Sequence, residues 1–563
     1  MTERSISQRI FDTAESLEPA KTVAFPSASA GMGVLPMAER TIGRILARAT
    51  ALYGTRPFVR WRGETFSFSE MNRRANKTAN ALSALGITRG TRVAILCFNR
   101  LEYLDLWFGL AKIGAVQVPL NTGYRAPQIL HTLSRADIPF IVVQRELAEE
   151  FTKLGTDVTG RCHVLTLDGP ISTGLAPQQS ALEGLVAAAS DIEPPDPKID
   201  GTDIGAIMNT SGTTGLAKGV LLPHAQQYWL GYRIADALSL RADDVFYNFY
   251  PLFHNTSQAM IVVPVMLAGA QLVLTEKFSL SNFWPDVRSN GVSIFYYIGE
   301  ILHLLVKASA GDEARGTRLR AGIGIGGAPR DVAAFQRIHN VPLGACYGST
   351  EGNVPVFRPL GEGADTASAG RVLPEFEVRI VDPTGEPVPV GEVGEIAIRS
   401  DEPAIVFAGY DGDPQATSEV RKDGWYHSGD AGRFDAEGNL YFVARIKDVI
   451  RVKGESVSAF EVEDALVSFA GVQEAAAIAV PSEIGGDEVK AVIVLSPGAV
   501  LDPTALVAHC NRLLPKFSVP RYFEFVEALP KTLTNKIQKN VLRETPFTPR
   551  TWDRLQVTIS RDK

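Results

Sequence analysis

A strand–helix–strand alternation runs through roughly the first 400 residues and restricts the architecture more than any other feature. Residues 92–97, RVAILC, are apolar and partly β-branched, and they lie between Gly90 and Asn99 as a buried strand does. Tyr103, Leu106, Trp107 and Leu110 follow at three- and four-residue steps, the spacing of one helix face. Residues 115–120, AVQVPL, then read as a second strand. A helix joining two such strands is a crossover, and crossovers build largely parallel sheets covered by helices. The expected fold class is α/β.

At 563 residues the chain exceeds what one hydrophobic core supports, so two or more domains are expected. Residues 168–200 are rich in Pro, Gly, Ala and Ser and read as an exposed connection. DPTGEPVPVGEVG, residues 382–394, alternates turn formers with short β-type runs, which suggests a small hairpin-rich β subdomain. After Arg445 the texture restarts as a charged loop, the helical SAFEVEDALVSFA, and the strand-like EAAAIAVP and KAVIVLSP. We therefore divide the chain into residues 1–444, of mixed α/β sheets, and a small α+β domain, residues 445–563.

Hydrophobic residues at 45% and charged residues at 21% are ordinary for a soluble globular protein. A net charge of -7 offers no basic footprint for nucleic acid or for an anionic membrane. Cys97, Cys162, Cys346 and Cys510 show no metal or redox spacing, which fits a reducing, cytoplasmic setting. The polar N-terminus lacks the apolar run of a secretory signal. The longest apolar stretch, near Ala259–Leu274, is too short for a membrane span and reads as a buried helix and strand.

The strongest local signal is TSGTTGLAKGV, residues 210–220, directly after the strand-like IGAIMN. Its glycines and hydroxyls can turn N–H and O–H donors toward phosphate oxygens, while Lys218 adds a positive charge. It is not a P-loop, because Ala217 precedes Lys218 and Gly219 follows it. The alternative is a plain flexible turn. GIGIGGAP, residues 322–329, holds a GxGxxG at Gly322, Gly324 and Gly327, yet a lone match is weak and Pro329 stands where the helix should begin. A close backbone approach to a flat ligand is the functional reading there. In CYGSTEG, residues 346–352, Tyr347 can stack on a base, and Thr350 with Glu351 can bind phosphate and a hard cation; a strand end with a Ser/Thr turn is the equal alternative. Asp430, read as ending a turn, suits a ribose diol, and Arg445 suits ribose and phosphate oxygens, although either charge alone also fits a salt-bridged surface loop. Lys536 sits in a polar turn within PKTLTNKIQK, residues 530–539.

Taken in order, TSGTTGLAKG, YGSTEG, the GWYHSGD and ARIKDVIRVKGE block and PKTLTNKIQK resemble the adenylate-forming superfamily of acyl-CoA synthetases, luciferases and peptide-synthetase adenylation domains. The resemblance spans about residues 40–545. It implies a large N-terminal domain and a mobile C-terminal lid hinged near Lys447. It also implies an ATP- and Mg2+-dependent acid–thiol ligase that makes an acyl-adenylate and passes the acyl group to coenzyme A. On that resemblance Thr210, Ser211, Gly212, Thr213, Thr214, Gly215 and Lys218 wrap the ATP phosphates, and Thr210 with Glu351 holds magnesium. Gly327, Ala328, Tyr347 and Gly348 border the adenine, Thr350 supports the phosphates, and Asp430 with Arg445 binds the ribose. Lys536 reaches from the lid to the carboxylate and α-phosphate, and the loop at Gly454 meets the pantetheine arm. Asn535 stands before Lys536 where the family commonly has Gly, and Ala459 stands where a proline is usual; the second exchange is expected to loosen a helix start.

FYPLFHNTSQ, residues 249–258, would lie beside the acyl site, with His254 resembling the histidine of acyl- and aryl-CoA ligases; core packing is the other reading of that ring. The stretch carries no acidic residue to pair with an amino group. The chain looks most similar to the carnitine/crotonobetaine and medium-to-long-chain fatty acyl-CoA ligase branch. An aryl-acid ligase, a ligase feeding acyl-AMP to a carrier protein, a non-catalytic nucleotide-binding homologue and a membrane-bound fatty acid transport protein are the competing readings. A homodimer is compatible with the resemblance.

Overall fold

Two large sheets, both mixed but dominated by parallel pairs, carry the N-terminal part of the chain, as the strand–helix alternation requires. The computed structural model describes residues 32–155, 162–171, 179–210, 217–361, 365–446, 449–452, 455–482, 487–531 and 537–555. One sheet has nine strands, in the spatial order Arg371–Val372, Asn353–Arg358, Leu343–Ser349, Ala321–Ile325, Ile294–Ile298, Val245–Asn248, Gln271–Leu274, Pro57–Trp61, Glu64–Ser67. The other has eight, in the order Gly409–Tyr410, Lys218–Pro223, Ile204–Thr210, Val116–Pro119, Arg92–Leu96, Phe140–Gln144, His163–Leu167, Gln179–Ala181. Arg92–Leu96 and Val116–Pro119 are parallel neighbours, with Arg92 opposite Val116, and helix Leu101–Lys112 crosses between them.

Helix His224–Ala237 is buried almost all round, which marks an element in the interior of a large core. It packs on Thr256–Val262, a π-helical segment, and on helix Val263–Ala268; a Cβ at Gly231 would come within 2.4 Å of Val263. The apolar stretch read as a buried helix and strand is these two segments followed by strand Gln271–Leu274.

Strands Phe376–Val381, Gly394–Ser400, Trp425–Phe434, Arg421–Lys422 and Leu440–Arg445 form a separate antiparallel sheet. The DPTGEPVPVGEVG segment is the connection between the first two of these strands. Residues 168–200 differ from a simple exposed connection. They contain strand Gln179–Ala181 and helix Leu182–Ala188, anchored by buried Leu182.

The small C-terminal domain has its own core, with Val462, Leu466, Val489, Ala491, Ile493 and Phe523 at its centre. Its four-stranded sheet runs Val472–Pro481, Asp487–Leu495, Tyr522–Val526, Trp552–Asp553. Helix Ala459–Val467 starts without proline but is not loose: Ser458 caps it by accepting from Glu461 N, and its hydroxyl donates to Val443 O at 2.7 Å. Among the described residues no helix is long and apolar enough to cross a membrane.

Candidate active site

The glycine- and hydroxyl-rich string connects strands Ile204–Thr210 and Lys218–Pro223, which pair antiparallel with Thr210 opposite Lys218. Ser211, Gly212, Thr213, Thr214 and Gly215 lie outside the described residues. The base of this hairpin is stitched from helix Ala126–Ala136. Arg135 donates from Nη1 to Ala217 O at 2.7 Å and from Nη2 to Asn209 Oδ1 at 3.1 Å, and His131 Nε2 lies 3.2 Å from Ala217 O. A Cβ at Gly219 would fall 2.3 Å from Arg135 Nη2, so the guanidinium packs against this backbone more closely than a larger residue permits without a shift.

The Lys218 ammonium lies 4.7 Å from the centre of the Tyr410 ring. The Tyr410 hydroxyl donates to Glu351 Oε1 at 3.0 Å. Burial pushes the Glu351 carboxyl above its ordinary range, opposed by the Tyr410 hydrogen bond and the charges of Arg445 and Lys218. The Thr350–Glu351 turn is held from behind, where fully buried Gln226 donates to Thr350 O at 2.8 Å and Phe407 N donates to Glu351 O at 2.9 Å.

Tyr347 closes the other side of the site. Its hydroxyl donates to Asp430 Oδ2 at 2.8 Å, and Arg445 Nε lies 2.9 Å from Asp430 Oδ1. Burial lowers the Arg445 guanidinium, yet the charge of Asp430 foremost leaves it raised overall. Asp430 does not end a turn as its sequence context suggested. It sits inside strand Trp425–Phe434, opposite Arg445, at a bulge: His427 faces Ala397 and Ala431 faces Glu395, so residues 428–430 oppose a single residue of strand Gly394–Ser400, with Gly429 at φ +69° within the bulge. Arg445 is accordingly the last residue of strand Leu440–Arg445 and not part of a loop.

The GxGxxG reading separates into two roles. A Cβ at Gly322 would meet Phe295 at 2.6 Å, and one at Gly324 would meet Tyr297 O at 2.1 Å, so these glycines serve close packing on the neighbouring strand. The strand then turns at Gly326 (φ +72°), Gly327 and Ala328, after which Pro329 opens helix Pro329–His339. Gly348 likewise serves packing, since a Cβ there would lie 2.2 Å from Asn353 O.

His254 stands just before the π-helical segment, its ring 4.6 Å from that of Phe253. Beside it lies a buried amide cluster: Gln227 donates to Asn255 Oδ1 and to Gln258 Oε1, both at 3.1 Å, and Gln117 donates to Gln258 Oε1 at 2.7 Å. Lys536, Gly454 and Lys447, the expected hinge, lie outside the described residues. Lys531 and Ile537, on either side of Asn535 and Lys536 in the sequence, form an isolated antiparallel bridge. The C-terminal domain touches the body through Arg330, whose Nη1 donates to Asp464 O at 2.6 Å.

Sequence reasoning missed Arg135, His131, Gln226 and Tyr410. Each reaches the site across a long separation, and no motif spacing encodes that. Among the described residues no group of three or more His, Cys, Asp or Glu side chains is arranged as a metal cage. Glu351 and Thr210 are nonetheless oxygen donors that suit a hard cation keeping water and phosphate in its coordination sphere.

A three-part scaffold with a Gly/Thr hairpin, a half-buried glutamate and a Tyr–Asp–Arg set defines the class. Residues 46–411 match the AMP-binding enzyme family, residues 461–536 match the AMP-binding enzyme C-terminal domain, and the chain belongs to this family of adenylate-forming enzymes. Within it the chain is an AMP-forming acyl-CoA ligase. It is 32% identical over 485 residues to a crotonobetaine/carnitine–CoA ligase of Salmonella paratyphi C (strain RKS4594), covering 85% of this chain and 93% of the relative. The crystal structure of ATP-bound MatB from Rhodopseudomonas palustris superposes with a TM-score of 0.80 at 26% identity, covering 89% of this chain and 98% of that one. A Mycobacterium tuberculosis fatty acyl CoA synthetase gives a TM-score of 0.67 at 26% identity, covering 90% and 99%.

Proposed function

We propose that this ligase activates a small polar acid of the crotonobetaine/carnitine type, using Mg2+ with ATP. The convergence of Lys218, Glu351, Asp430 and Arg445 on one region carries the site assignment. In the first half-reaction a carboxylate oxygen of the acid attacks the α-phosphorus of ATP. The new bond is O–P, the α–β phosphoanhydride breaks, and pyrophosphate leaves with both electrons of that bond.

Acid and nucleotide are both anionic, so cationic groups must offset their repulsion as they meet. Lys218 and the hairpin N–H groups hold the phosphates, Thr350 supports them, and Lys536 bridges carboxylate and α-phosphate. Asp430 and Arg445 orient the ribose, while Tyr347, Gly327 and Ala328 flank the base. Glu351 and Thr210 would hold a divalent cation, whose charge would offset that of the phosphate oxygens. In the second half-reaction the CoA sulfur attacks the acyl carbon, the C–O bond to AMP breaks, and AMP departs. A lid of residues 445–563 turning about Lys447 would withdraw Lys536 and bring Gly454 to the pantetheine arm.

The amide cluster of Gln117, Gln227, Asn255 and Gln258 beside His254 supports a polar acid, as does the crotonobetaine/carnitine–CoA ligase relative. A fatty acid is the second reading, supported by the fatty acyl CoA synthetase likeness. The four buried thiols, none in a disulfide, support a reducing, cytoplasmic location. Mass spectrometry of acyl-CoA products from a mixed panel of betaine, fatty, aryl and steroid acids tests the substrate class. A betaine-CoA product supports it, and exclusive conversion of long-chain or aryl acids overturns it.

A further inference from the structure

We infer that Tyr410 is a positioning residue that couples the two halves of the phosphate site, holding Glu351 with its hydroxyl and Lys218 with its ring face. The inference rests on the proposed roles of Glu351 toward the cation and Lys218 toward the phosphates. Glu351 belongs to the turn after strand Leu343–Ser349, and Lys218 opens a strand of the other large sheet. A single side chain contacts both, by an O–H···O bond of 3.0 Å to the carboxylate and a 4.7 Å approach of the ammonium to the ring centre.

Tyr410 is itself held on every side. Strand Gly409–Tyr410 pairs antiparallel with Lys218–Pro223, so Tyr410 faces Val220 and moves with the strand that begins at Lys218. Its backbone N–H donates to Thr417 Oγ1 at 2.8 Å, and the Thr417 hydroxyl donates to Asp413 O at 2.9 Å. Gly409, at φ +142°, is in the region that favours glycine, and a Cβ there would lie 3.1 Å from Thr417 Cγ2. The Phe407 ring packs at 5.3 Å, and Tyr410 is 8% exposed.

The two contacts do different work. The phenol donates to a half-buried carboxylate, which keeps one oxygen of Glu351 committed and fixes the direction of the other. The ring face stabilises an ammonium that has moved partly out of water. Tyr410 thereby keeps the distance between cation ligand and phosphate cation constant before nucleotide arrives, which is preorganisation of the site.

The test uses the full-length enzyme with Mn2+ as the probe, read by electron paramagnetic resonance of the enzyme–nucleotide complex, and calorimetry of ATP binding in chelator. Tyr410→Phe keeps the ring and loses the hydroxyl; Tyr410→Leu loses both. Tyr410→Phe is expected to weaken Mn2+ retention about tenfold, the scale of one hydrogen bond to a charged group, with metal-free ATP affinity unchanged. Tyr410→Leu is expected to weaken both. The double variant Tyr410→Phe/Glu351→Gln should retain Mn2+ no worse than Glu351→Gln alone. Normal Mn2+ retention in Tyr410→Phe, with a clear loss in Glu351→Gln, overturns the inference while leaving Glu351 at the cation. Normal retention in both variants overturns the cation role of Glu351 and the inference with it. An equal loss of both affinities in Tyr410→Phe, with a lowered melting temperature, would mean a merely structural tyrosine and also overturns the inference.

Discussion

Asp430 and Arg445 are register partners across strands Trp425–Phe434 and Leu440–Arg445, with Arg445 Nε 2.9 Å from Asp430 Oδ1. The pair belongs to the last step of that ladder, so the placement of these two charges is set by sheet register and not by loop conformation. Arg445 is also two residues before Lys447, so this ladder is the one from which the chain leaves for the C-terminal domain.

Replacing Asp430 with Ala leaves Arg445 and the Tyr347 hydroxyl without their shared acceptor. Asp430→Ala should raise the Kd for ATP at least tenfold, in keeping with the cost of breaking a hydrogen-bonded ion pair. Calorimetric titration checks this, and an unchanged ATP affinity would show that the ribose assignment is wrong.

Gly219→Ala would push a methyl group into the Arg135 guanidinium and toward Ile207, whose Cγ2 would lie 2.8 Å away. The hairpin base should loosen, with weaker ATP binding and a stability loss of about 1–2 kcal/mol. Arg135→Ala should cause a similar loss of ATP affinity, and the double variant should lose less than the two losses added together. A double-variant cycle of ATP affinities reads this; additive losses would separate Gly219 from Arg135.

His224 is fully buried, and burial pushes its pKa down to about 4. A depressed histidine pKa means that the unfolded chain binds the extra proton first. The stabilising contribution is complete above the ordinary histidine pKa near 6.5 and is lost as pH falls from there toward 4, to a total of about 3 kcal/mol. Denaturant unfolding at several pH values should show a steeper acid decline in the natural protein than in His224→Gln. Parallel declines would contradict it.

Lys536→Ala should slow acyl-AMP formation by roughly a hundredfold or more, while thioester formation from supplied acyl-AMP changes far less. Separate rapid-quench assays of the two half-reactions distinguish this from a general loss, and equal damage to both would remove Lys536 from the adenylation step.

The legible parts of the protein are those with local periodicity. Residues 92–97 and 115–120 read as strands, and they are parallel neighbours. The 346–352 string also lies where a strand ends at a turn, as one of its two readings has it. Tertiary packing hid the rest. Gly322 and Gly324 resemble ligand-facing glycines until Phe295 and Tyr297 are seen against them. Tyr410 reaches Glu351 across 59 residues and Arg135 reaches Ala217 across 82, separations at which no motif or hydrophobic period signals a contact. Asp430 reads as the end of a turn because Gly429 looks like a strand end, whereas it supplies a bulge within one.

The most direct test of the central claim follows the carboxylate oxygen. A substrate acid labelled with heavy oxygen in its carboxylate is turned over with ATP, Mg2+ and CoA, and the nucleotide and phosphate products are weighed by mass spectrometry. Adenylation transfers one labelled oxygen to AMP and leaves pyrophosphate unlabelled. Label in inorganic phosphate, accompanied by ADP, would mean an acyl-phosphate route and would contradict the account.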